Sequence, residues 1–180
     1  MIYQKNMTDK QLKQEIQKFI KQYTIYELPQ EDFFGKGTDL FLHGGPLEDG
    51  LYSQIEAFIQ EHRTLDTFHN VLFKMIDERG LEETAVYKKA NIDRRLFSKI
   101  RSDINYHPSK DTIILLGMSL ELSEKEIEDL LGSASYSLLY TNASDKIIRY
   151  FFRNKIYDIA RLNSMLDSFS KEYKCKPLNC

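Results

Sequence analysis

The chain has 180 residues, 42% hydrophobic and 29% charged, with a formal net charge of −2. That length and balance suit one domain, or one domain with an appended piece, and no run of about 18 apolar residues is present to span a membrane. Met1–Thr8 lacks the apolar centre of a secretory leader, and both cysteines, Cys175 and Cys180, fall in the last six residues, so a disulfide framework is not expected. These features point to a cytoplasmic protein with no membrane partner. His43, His62, His69 and His107 are too scattered to make a metal site with two terminal cysteines, so neither a metal nor a cofactor is expected.

Thr8 is a natural N-cap for a first helix whose apolar residues Leu12, Ile16, Phe19, Ile20 and Tyr23 recur at helical spacing, opposite a polar face rich in lysine. Pro29 ends that region. Residues 30–50 carry five of the eight glycines and read as a loop, the natural boundary of an N-terminal extension over 1–65. Gly35-Lys36-Gly37-Thr38 lacks the glycine spacing of a phosphate loop and carries little weight for nucleotide binding.

Leu51, Ile55, Phe58 and Ile59 mark a helix near 47–62. Asp66 or Thr67 then caps another, which carries Val71, Leu72, Met75 and Ile76 and stops at Gly80. Residues 82–101 form two short helices broken at Asn91, a residue that tolerates the positive φ a tight turn needs. Val86, Ala90, Ile92, Phe97 and Ile100 are expected to point inward, and Arg94, Arg95 and Lys99 outward.

Ser109 caps a helix from Lys110 to about Leu122 that is apolar nearly all round and therefore belongs at the centre of the fold. Ser123-Glu-Lys-Glu matches a capping box opening a helix with Ile127, Leu130 and Leu131, closed by Gly132. Helices over Ser144–Arg153 and from Ile156 to about Phe169 follow, then a flexible tail over 171–180. The fold class is all-α, with residues 66–170 as its main domain.

Charge along the chain is segregated. From Glu83 to Lys110 there are seven cations and three anions, a local excess of four positive charges, followed by the acidic run Glu121, Glu124, Glu126, Glu128 and Asp129. Such a division suits a molecule with one face for phosphates and another that repels them.

From Leu72 to Leu131 the helix order, the Asn91-Ile92 turn, the Pro108-Ser109 helix start and the link Leu120-Glu-Leu-Ser-Glu-Lys-Glu-Ile resemble the helix-turn-helix domain of Cro/C1-type phage repressors, over about a third of the chain. A longer stretch, from Val86 through Tyr150-Phe151-Phe152 to Tyr157-Asp158-Ile159, is similar to a bacterial helical module often appended after catalytic domains such as macrodomains. The repressor resemblance implies a five-helix fold in which the helix from Asp93 to Arg101 enters the major groove of double-stranded DNA. Arg94, Arg95 and Lys99 would then contact bases, and Lys88, Lys89, Arg101 and Lys110 phosphates.

The expected function is accordingly a sequence-specific transcriptional regulator. A homodimer is expected with it, its seam on the N-terminal helix or on the helices beyond Ser144. The alternative is a non-catalytic module, in a bacterial or phage defence or regulatory system, that keeps the same fold and holds a protein partner on the surface around Tyr87, Leu96 and the N-terminal helix. No nucleophile and base are paired in the sequence, and an enzyme is not expected.

Overall fold

The computed structural model describes residues 7–23, 53, 55–57 and 67–179. The chain divides into two compact units, Met1–Ile25 with Asp66–Cys180 in one and Tyr26–Leu65 in the other. In the second unit residues 53 and 55–57 are helical; the loop over 30–50, Gly35–Thr38, His43, His62 and most of the helix expected near 47–62 lie outside the described residues.

The first unit is all-helical among its described residues. It comprises α1 (Asp9–Gln22), α2 (Phe68–Glu78), α3 (Glu83–Lys89), α4 (Arg94–Ser102), α5 (Lys110–Ser119), α6 (Glu124–Ser133), α7 (Ala143–Arg153), α8 (Ile159–Ser168) and the single turn α9 (Ser170–Tyr173). No helix among the described residues is long and apolar enough to cross a membrane.

Local chemistry sets the helix starts. Thr8, Thr67, Asp93, Ser109, Ser123, Asn142 and Asp158 each accept a hydrogen bond from a backbone N–H of the first turn, satisfying donors the helix itself cannot. Ser123 with Glu126 completes the expected capping box, and Thr8 with Gln11 completes a second.

One device sets most of the helix ends. A residue at positive φ is followed by one whose N–H reaches back five residues: Gly80 then Leu81 to the Ile76 carbonyl (3.2 Å), Asn91 then Ile92 to Tyr87 (2.9 Å), Glu121 then Leu122 to Gly117 (3.1 Å), Ser135 then Tyr136 to Leu131 (2.9 Å), and Lys155 then Ile156 to Phe151 (2.9 Å). Ile92, Leu122 and Ile156 are buried, so each of those turns also drives an apolar plug into the core. The device corrects two expected boundaries and a side-chain cap a third. α5 stops at Ser119 because Glu121 turns, α6 runs through Gly132 to Ser133 because Ser135 turns, and α8 begins at Ile159, behind the Asp158 cap.

The core is centred on α5, where every residue from Thr112 to Leu120 is buried, as its all-round apolar sequence requires. It packs on α3 and α6, while α6 also packs on α2 and α7. Gly117 permits that closeness: a Cβ there would lie 2.5 Å from Ile127 Cδ1 and 3.3 Å from Phe152 Cζ.

α1 packs on α7, burying Leu12, Ile16, Phe19 and Ile20, so it shares a core with the helices after residue 66 rather than grouping with the residues up to 65. Charged groups tie α7 chiefly to α6. Arg149, 7% exposed, bonds Glu124 (2.9 Å), Glu128 and the Leu138 carbonyl (2.8 Å), and lies 4.4 Å over the Tyr140 ring. Arg153 bonds both oxygens of Glu124 (2.7 Å each) and the Tyr23 hydroxyl (2.8 Å). The Arg153 guanidinium holds the Glu124 carboxyl below its ordinary value, and Glu124 in turn raises Arg153.

The tail, expected to be flexible, packs on the unit in the structure. Cys175 and Leu178 are buried, the Leu178 N–H donates to Asn163 Oδ1 (2.9 Å) and the Asn179 N–H to Asp111 Oδ2 (3.2 Å), so residues 171–179 return to the body of the unit. Cys180 lies outside the described residues.

Candidate nucleic-acid interface

The sequence from Glu83 to Arg101 produces a pair of helices whose geometry rests on three aromatic rings and one histidine. Phe97, buried on the inner face of α4, meets Tyr87 of α3 (ring centroids 5.4 Å apart) and Phe73 of α2 (6.1 Å). His69 of α2 lies against Phe73 (4.6 Å), and its Nε2 is 3.0 Å from the Arg101 carbonyl at the end of α4. With Ile92 and Ile100 also buried, α4 is held along its whole inner face and presents the opposite one to solvent.

Asn91 has φ 55° and makes the turn between the two helices. Asp93 caps α4 by accepting from the Arg95 N–H at 2.6 Å. The cap fixes the first turn of α4, so Arg94 and Arg95 leave the helix at its N-terminal end, where the Asp93 carboxylate already serves the helix dipole. Both arginines are exposed, and neither makes an ion pair among the described residues. Lys88, exposed on α3, is equally without an ion pair among them.

The other predicted cations are placed differently. Lys99 folds over the Tyr106 ring with its Nζ 4.5 Å from the centroid, drawing it toward the loop after α4. Lys89 bonds Glu121 (2.6 Å), and Arg101 bonds Glu83 across the α3–α4 pair. Lys110 bonds Asp145 (2.6 Å), a carboxylate 5% exposed that also accepts the Leu139 N–H (2.9 Å). Three of the four expected phosphate contacts therefore already hold a carboxylate. Lys110 differs from the other two, since Asp145 is buried and their bond ties α5 to α7.

One open groove of about 550 Å³ lies among the end of α2, α3 and α4, where Asp77, Glu82, Glu83 and Tyr87 share its lining with Arg94 and Arg101, three carboxylates to two guanidiniums. Tyr87 and Leu96 are half-buried against the core, so much of the apolar surface expected there faces inward. Leu81, exposed, lines the same groove instead.

Charge count alone could not separate the free from the paired cations, because Glu121 and Asp145 come from sequence positions 32 and 35 residues away from their lysines. Nor did helical spacing mark Asp145, Lys146 and Arg149, which are buried among the apolar residues of α7. The signal for them was charge interleaved with the aromatic run Tyr150-Phe151-Phe152 on one helix.

Comparison of the chain with protein-family models, with curated proteins and with solved structures gives no match.

Proposed function

We propose that this protein binds double-stranded DNA through a helix-turn-helix formed by α3 and α4 and acts as a sequence-specific transcriptional regulator. The observation that carries the reading is the pair Arg94 and Arg95. Both are exposed on the first turn of a rigidly seated helix, behind a positive-φ turn, with no carboxylate to occupy them among the described residues.

An arginine fork so placed can make two bonds to guanine O6 and N7, worth about 1–3 kcal/mol of discrimination for each base pair read. Lys88, exposed and without an ion pair among the described residues, would meet phosphate beside them. One short helix reads few bases, so a dimer on two half-sites about one turn of DNA apart would complete the recognition.

The test is the affinity of the purified protein for labelled random-sequence duplexes at two ionic strengths, alongside the Arg94→Ala/Arg95→Ala variant. Binding that weakens with salt and is lost or strongly reduced in the variant supports the reading; no binding at low salt sinks it. A non-catalytic protein-interaction module on the same fold is the second reading. The carboxylates already bonded to Lys89, Arg101 and Lys110 are what favour it.

A further inference from the structure

Resting on the DNA reading above, we propose that Glu83 and Glu121 are specificity-determining residues, which compete with DNA phosphate for Arg101 and Lys89 and so suppress sequence-independent binding. Sequence-independent affinity comes from neutralising phosphates, each contact releasing counterions from the DNA. A cation that must first leave a carboxylate gains little from the exchange, because one anion replaces another. Arg94 and Arg95 hold no carboxylate among the described residues, although Glu83 lines the same groove as Arg94.

The two pairs are suited to the role by their exposure. Arg101 and Glu83 are 63% and 29% exposed, and Lys89 and Glu121 are 47% and 57% exposed, so both pairs can open in water at a cost small enough for a phosphate to contest. The Lys110–Asp145 bond is excluded from this role by its burial and its second acceptor duty to Leu139. Position matters as much as strength. Glu83 is in the first turn of α3 and shares its groove with Arg94, so its charge also stands where a phosphate following that groove would pass.

Duplexes that satisfy Arg94 and Arg95 recover the affinity through base contacts, while other sequences do not. The carboxylates thus lower both affinities but lower the non-specific one more, which widens the ratio on which a regulator depends.

The experiment measures the affinity of the full chain for random-sequence duplex over a range of salt, for wild type, Glu83→Gln, Glu121→Gln, Arg101→Ala and Glu83→Gln/Arg101→Ala. Circular dichroism verifies that each variant is folded. Glu83→Gln is expected to tighten binding by about three- to tenfold and to steepen the dependence of log affinity on log salt by about one. The gain should shrink markedly when Arg101 is alanine, and Glu121→Gln should act in the same direction through Lys89. Wild-type binding that neither glutamine variant tightens would overturn the proposal while leaving the DNA reading intact, as would an equal gain with and without Arg101. Absence of binding by every variant would overturn the DNA reading and this proposal with it.

Discussion

Glu126 carries two jobs with one carboxylate. It accepts the Ser123 N–H at 2.7 Å in the capping box, and it bonds Arg79 of the α2 end at 2.5 Å, joining α6 to α2. The Ser123 backbone bond, then the Ser123 hydroxyl, then Arg79 hold its carboxyl at about 2, against an ordinary value of 4.5. A carboxyl with a depressed folded-state pKa stabilises fully above its unfolded value and ceases to do so as pH falls through the folded one. Melting temperature should therefore fall between about pH 4.5 and 2. Glu126→Gln should cost about 1 kcal/mol at neutral pH, since the side chain is 38% exposed and the screened Arg79 pair adds little to the cap. At pH 2 the gap between variant and wild type should nearly close. A gap that persists unchanged at pH 2 would show that the carboxylate charge is not what the cap uses.

Between helices, the repeated turn is the element that the sequence made only partly legible. Gly80 and Asn91 could be read as positive-φ positions because glycine and asparagine are the residues that tolerate that backbone. Glu121, Ser135 and Lys155 could not, because nothing in their chemistry favours φ near 55–58°; the buried plug that follows Glu121 and Lys155 holds the turn closed. Gly132 misled for the converse reason, being a glycine inside a helix.

A strained lysine is a testable consequence. Lys155→Gly should raise stability by about 0.5–1 kcal/mol, the relief of left-handed strain less the extra backbone entropy of glycine, and Lys155→Val should lower it, both read by thermal or urea unfolding. Loss of stability in the glycine variant would mean that Lys155 contributes contacts worth more than its strain.

For the whole molecule, the all-α class, the central place of α5, the caps at Thr8, Ser109 and Ser123 and the turn at Asn91 all follow from periodicity and local hydrogen bonding, which the linear sequence displays. What depends on segments brought together from a distance was not displayed. That includes α1 joining α7, the tail held by Asn163 and Asp111, and the carboxylates that occupy Lys89, Arg101 and Lys110. The candidate interface thus divides into arginines with no ion pair among the described residues, legible from their place after an N-cap, and paired cations, whose partners only the fold reveals.

Under the proposed function that division favours base reading by Arg94 and Arg95 over general attraction to a polyanion, in keeping with a net charge of −2. The measurement that tests it most directly is iterative selection of duplexes from a random pool by the wild-type protein and by the Arg94→Ala/Arg95→Ala variant. The account predicts that wild type enriches a defined motif containing guanine at the positions α4 reaches, and that the variant enriches none or loses those guanines. A pool that stays random with wild-type protein, or the same motif enriched by both, would contradict it.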